Sequence, residues 1–216
     1  MARIEGHTRL DGAESREILK NAQRLLADSE ALNELGRFQS AIGLAVLAIE
    51  ECGKVFILRW ANGREDDSIR KITVHTHKQR VAGSVALSEL YVRSIIEWTE
   101  AYGFELIHKS KMTNSQKEWL ASPRGQDFNR DFFSGRWLDE LHVLMAQKAK
   151  SEGIDGILSE ATAARLSQLK NAAFYRDVGG GDLTDRLAPR LDKHVSEQCI
   201  SLGRMLLRRV EGTLSD

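Results

Sequence analysis

Two adjacent carboxylates and a lysine interrupt the most apolar stretch of this sequence, in the segment Glu50-Glu51-Cys52-Gly53-Lys54. Glu50 and Lys54 stand one helical turn apart with the acid first, the favourable order for an intrahelical ion pair. On residue types alone that is a structural pair on the one wet strip of a buried helix. Two acids and a lysine on an otherwise apolar helix also point to a site, because charges seldom stay on such a surface unless something pairs with them. Gly53 fits a site too. A missing side chain lets another backbone or a ligand approach closely, at a cost to the helix of about 1 kcal/mol.

A second polar set, Lys170, Asn171 and Tyr175, lies near the end of a later helical stretch. Asn171 and Tyr175 share a face at i,i+4, and Lys170 lies well round from Tyr175. By themselves these three read as a capping and surface cluster. Glu105-x-x-His108 and Asp139-x-x-His142 have the i,i+3 spacing of di-iron helical bundles. That chemistry needs a carboxylate from each of two further helices, and Glu50 or Glu51 supplies one obvious donor. His7, His75 and His194 fall on polar stretches and read as solvated surface residues. Cys52 and Cys199 sit in apolar patterns and read as core packing rather than reactive thiols. Gly179-Gly180-Gly181 follows a helix instead of leading into one, so it is no phosphate loop. No metal or other cofactor is expected.

The elements that must position these residues are helices. Residues 13–35 place Ile18, Ala22, Leu25, Ser29 and Leu32 at helical spacing, and Gly36 punctuates them. Residues 38–61 form the most informative helix. Ala41, Leu44, Ala45, Ala48, Ile49, Cys52, Val55 and Phe56 fill one broad face, with Ile42, Val46, Leu47, Ile57 and Leu58 flanking it. A helix apolar almost all round is central and buried. The short link at Gly36 predicts an antiparallel hairpin. A third helix is expected over 77–102, with Val81, Val85, Ser88, Val92, Ile95 and Thr99 on its inner stripe. Residues 104–135 are polar, contain Ser122-Pro123-Arg124-Gly125, and read as a decorating segment of loops and a short helix. Helices follow over 137–150, 157–176 and from Pro189 to about 210.

Composition bounds the rest. Of 216 residues, 42% are hydrophobic and 29% charged, which are globular proportions that argue against disorder. Net charge is zero, so contact with nucleic acid must be local rather than a broad basic face. With two cysteines there is no disulfide framework. The leader has no apolar signal core and no uncharged run reaches the length of a membrane span, so a cytoplasmic, non-membrane protein is expected. One domain is expected across 1–216.

Residues 21–58, NAQRLLADSEALNELGRFQSAIGLAVLAIEECGKVFIL, closely resemble the N-terminal hairpin of AbiV-type abortive-infection proteins of the HEPN superfamily. That hairpin has an Asn-Ala start, a Leu-rich first helix, a Gly-aromatic turn and a closing Glu-Glu-x-Gly-Lys. Residues 169–177, LKNAAFYRD, look like the family's later block, and His75-Thr76-His77-Lys78 matches its tendency to His-Lys at the third helix. The resemblance implies an all-α HEPN-like bundle of four to five core helices plus decorating ones, usually dimeric, with a groove at the dimer seam. It also implies action against phage as a metal-independent ribonuclease toxin. HEPN ribonucleases carry Arg, a polar residue, three variable residues and His. Here the matching window is Lys170, Asn171, then Tyr175, so Lys replaces Arg and Tyr replaces His. Lysine keeps the charge but loses the two-pronged grip on phosphate. Histidine shuttles protons near neutral pH, whereas tyrosine titrates near pH 10. The candidate catalytic set is therefore Glu50, Glu51, Lys54, Lys170, Asn171 and Tyr175, expected to converge. The alternative is a non-catalytic module that recognises a phage or host protein.

Overall fold

Two helices of equal length open the fold, α1 (Gly12–Glu34) and α2 (Phe38–Trp60). The chain reverses between them on Gly36, whose φ of 72° is the left-handed conformation that glycine adopts without strain. Arg37 N donates to Leu32 O at 2.8 Å and Gly36 N to Asn33 O at 3.0 Å, the paired bonds of a Schellman stop. The helices then pack against each other, and the buried Ser29 hydroxyl donates to Ala41 O at 2.7 Å across the seam. Ile18, Ala22, Leu25 and Ser29 of α1 are all buried, as their spacing predicts.

This computed structural model describes residues 12–60, 75–101, 114–134, 136–158, 162–175 and 190–215. Every regular element among them is an α-helix: α3 (His75–Ala101), α4 (Asn114–Ala121), α5 (Pro123–Ser134), α6 (Arg136–Ser151), α7 (Thr162–Tyr175) and α8 (Lys193–Ser215) complete the set. They divide into two compact units, one of residues up to 86 together with those from 152 onward, the other of residues 87–151.

In the larger unit α2 is the hub. It packs against α1, α7 and α8, and α8 also packs on α1. Ala41, Ala45, Ala48, Ile49, Cys52, Val55 and Phe56 are buried, with Leu44 partly so. Asp192 caps α8 by accepting from Val195 N at 3.0 Å, so this helix starts on an N-cap aspartate and not at the expected Pro189, which lies outside the described residues. The helix expected over 157–176 begins at Thr162. Ile157 instead lies in a turn after Gly153, where it and Ile154 are buried.

The smaller unit gathers aromatic rings. Trp98 of α3 lies 5.1 Å from Phe128 and 6.1 Å from Trp137 between centroids, and Trp119 lies 5.6 Å from Phe128. In the segment expected to hold loops and a short helix, Ser122 is a one-residue break between α4 and α5. Ser122 Oγ accepts from Gly125 N at 3.2 Å, and Pro123 takes the first helical position of α5.

The inner stripe of α3 follows expectation in part. Val85 and Thr99 are buried and Val81 and Ile95 half-buried, but Ser88 and Val92 are exposed, and Gln79, Ala82, Gly83, Ala86, Leu90, Ser94 and Trp98 are buried as well. Small residues dominate this face, so hydrophobicity underweights it. The close approach of α3 to α2 is made at Gly53, over the backbone of Lys78.

Candidate functional site

The polar strip of α2 is not wet where Glu50 stands. The Glu50 side chain is only 2% exposed. Burying a carboxylate costs several kcal/mol unless donors surround it, and here three side chains from two other helices do so. Lys170 Nζ of α7 and Gln79 Nε2 of α3 each donate to Glu50 Oε1 at 2.7 Å. His75 Nδ1, at the start of α3, lies 2.5 Å from Oε2. Lys170 is itself 10% exposed at its side chain, whereas the His75 ring is 57% exposed. The cluster thus runs from an ion pair exposed only at its lysine to an imidazole at the surface.

Local sequence explains how three helices come so close. A Cβ on Gly53 would sit 2.2 Å from the carbonyl oxygen of Lys78, so only glycine admits the α3 backbone there. Lys78 is the neighbour of Gln79, and this contact sets the depth at which Gln79 and His75 meet Glu50. A Cβ on Gly43 would meet the tip of the Phe174 ring of α7 at 2.7 Å, a side-chain contact that can shift where the Gly53 contact cannot. Gln39 Nε2 donates to Ala173 O at 3.0 Å and fixes α7 against the start of α2. Both glycines lie on the same strip as Glu50.

Gln79 shows how strongly the carboxylate governs its surroundings. Its Nε2 faces Glu50, and its buried Oε1 finds no hydrogen-bond partner among the described residues. Rotating the amide would turn its oxygen toward the carboxylate. The orientation that leaves one oxygen unpaired avoids that repulsion.

Of the residues singled out in the sequence, Glu50 and Lys170 meet directly. The Glu50 partner is Lys170, 120 positions away, and not Lys54 one turn along. Lys54 and Glu51 are half-buried and Asn171 is exposed, and none of them is among the groups that touch Glu50. Tyr175 is the last residue of α7, and its side chain lies outside the described residues. Sequence reasoning missed Gln79 altogether and read His75 as a solvated surface residue. The available signal was the i,i+4 spacing of His75 and Gln79, which puts an imidazole and an amide on one face.

The neighbouring acid has other surroundings. The Cys52 thiol is pushed far up first by burial, then by the charges of Glu51 and of Glu211 on α8. Burial likewise pushes Cys199 up to about 12. Neither thiol is a nucleophile at neutral pH. Among the described residues no group of three His, Cys, Asp or Glu side chains is placed to hold a metal ion, and Asp139 and His142 are both exposed on α6. Glu105, His108, His7 and the triple glycine lie outside the described residues. No helix among the described residues is long and apolar enough to cross a membrane.

The described residues form helices and no other regular element, the fold that the resemblance to HEPN proteins implies. The family model for AbiV matches residues 13–185, and the chain belongs to that family of abortive-infection-type HEPN proteins. No curated protein and no solved structure matches it.

Proposed function

We propose that this protein is a metal-independent endoribonuclease that arrests growth or translation in phage-infected cells, and that it acts from the cytoplasm as a homodimer. One observation carries the reading. The position that matches the HEPN arginine holds Lys170, and its ammonium reaches the buried Glu50 carboxylate at 2.7 Å. An ammonium has three N–H donors and Glu50 takes one, so Lys170 keeps capacity for a phosphate oxygen. It would neutralise the charge that builds on phosphate as the ribose 2′-OH attacks. Asn171, exposed beside it on α7, would orient the phosphate.

Glu50 itself is committed to donors on both oxygens and holds Lys170 in place, so proton transfer falls to another group. Glu51, Lys54 and Tyr175 remain candidates for the rim of the groove, with Lys54 near a dimer seam.

The replacement of His by Tyr175 and the low exposure of Lys170 favour a second reading, a non-catalytic module that recognises a phage or host protein through the same groove. RNA incubated with wild type and with Lys170→Ala in the presence of EDTA separates the two. Cleavage by wild type that is lost in a variant still folded by circular dichroism is expected. A wild type that leaves RNA intact, with or without phage lysate added, contradicts the ribonuclease reading.

A further inference from the structure

A ribonuclease site with tyrosine at the histidine position needs a proton acceptor from elsewhere, and the Glu50 cluster contains one imidazole. His75 Nδ1 faces Glu50 Oε2 at 2.5 Å. A carboxylate on one ring nitrogen fixes the ring plane and keeps the proton on that nitrogen, leaving the lone pair of Nε2 on the opposite edge. Glu50 cannot turn away, because Lys170 and Gln79 hold its other oxygen at 2.7 Å each. The ring is 57% exposed while the carboxylate behind it is 2% exposed. A polymer can therefore reach the imidazole without entering the core. The phosphate-binding candidate Lys170 and this imidazole are joined through a single carboxylate.

We propose that His75 is the general base of this site and that Glu50 is its positioning residue, an assignment that rests on the ribonuclease reading above. Nε2 takes the proton of a ribose 2′-OH as that oxygen bonds to the adjacent phosphorus. The bond from phosphorus to the 5′ oxygen breaks, its electron pair stays on that oxygen, and water protonates it. The products are a 2′,3′-cyclic phosphate and a 5′-hydroxyl, and the imidazolium returns its proton to the hydroxide left behind. His75 supplies what the motif lost when tyrosine took the last position. Gly53 belongs to the same device, since it admits the backbone of Lys78, one residue before Gln79 and three after His75.

The test uses the full chain, total bacterial RNA and EDTA, with wild type, His75→Asn and His75→Ala compared for initial rate and for product ends. Asparagine places an N–H donor near the position of Nδ1, so it preserves the bond to Glu50 and the fold but cannot carry a proton. Both variants are expected to lose about 10²- to 10⁴-fold in rate, the usual share of a general base. Added imidazole is expected to restore part of the rate to His75→Ala.

Three results overturn the assignment while leaving the ribonuclease reading intact. In the first, wild type cleaves and both variants stay within about threefold of it, far below a general base's share. In the second, His75→Asn retains the rate that His75→Ala loses, which makes the ring a support for Glu50 only. In the third, a folded His75→Ala is not rescued by imidazole. A wild type that leaves all RNA intact removes both proposals together. If His75→Ala fails to fold, His75→Asn decides alone.

Discussion

The central helix α2 is closed on two sides by different means. Against α1 and α8 the seam is apolar and yields where it is tight. A Cβ on Gly203 of α8 would meet the tip of the Leu26 side chain at 2.9 Å, and a leucine tip can move. Against α3 and α7 the seam is polar around Glu50 and closed by backbone at Gly53. The neighbour of Gly53 is backbone, at 2.2 Å from an added Cβ, and the charges of Glu50 and Lys170 are locked to each other. The first seam stabilises by area removed from water, which tolerates repacking. The second depends on partners being present, which tolerates little. Substitutions of the same kind should therefore have unlike effects on the two sides.

The largest difference is expected from charge. Lys170→Met leaves Glu50 buried with its main counter-charge gone and should cost about 3–5 kcal/mol of unfolding free energy in urea titration. Arg204→Ala also removes an ion pair, with Glu30 at 2.7 Å, but both partners are substantially exposed. That variant should lose less than about 1 kcal/mol.

Glycine gives the next contrast. Gly53→Ala should be destabilised by about 1–3 kcal/mol as α3 is forced away from α2. Gly203→Ala should be neutral or gain about 0.5–1 kcal/mol from helix propensity, since the Leu26 tip gives way. Equal losses at the two positions would erase the distinction between the seams.

The polar bond across the apolar seam is a smaller matter. Ser29→Ala removes a donor to Ala41 O and should cost about 1 kcal/mol.

The thiols report on how tightly the apolar seam is closed. Cys52 and Cys199 are buried and pushed upward, so iodoacetamide at neutral pH should label neither in the native protein and both after unfolding. The sign of the linkage follows from the same shift. For Cys199 the stability contributed by the protonated thiol is complete below the ordinary value of 9.0 and is lost as pH rises toward about 12. Rapid native labelling of either thiol would show that the seam opens.

What the sequence made legible divides along the same line. The apolar seam was readable because its signal is periodic: Ile18, Ala22, Leu25 and Ser29 on α1, and the broad face of α2, carry helical spacing that burial follows. The stop at Gly36 was readable from residue type. The polar seam was only half readable. Glu50 stood out as a charge on an apolar helix, and Lys170 through its match to a motif. Periodicity along α2 alone favoured Lys54 as the partner of Glu50, because a pattern within one helix carries no information about a helix 120 positions away. Gln79 and His75 were hidden for another reason. They stand on a face with the small residues Ala82, Gly83 and Ala86, which a reading by large apolar side chains underweights; of the stripe drawn through Val81, Val85, Ser88, Val92, Ile95 and Thr99, Val85 and Thr99 are buried but Ser88 and Val92 are not. Ser122-Pro123 does break the chain between α4 and α5, and serine followed by proline also starts the second of them.

If Glu50 and Lys170 act as one unit in the polar seam, substitutions at the two positions must not add. A double-mutant cycle with Glu50→Gln, Lys170→Met and the pair together, read as unfolding free energy in urea, measures this. The double variant is expected to be more stable than Lys170→Met alone, because an uncharged amide no longer needs the ammonium, with a coupling energy of about 1–3 kcal/mol. Losses that simply add, to within about 0.5 kcal/mol, would mean that the two residues stabilise the protein separately and that no such unit exists.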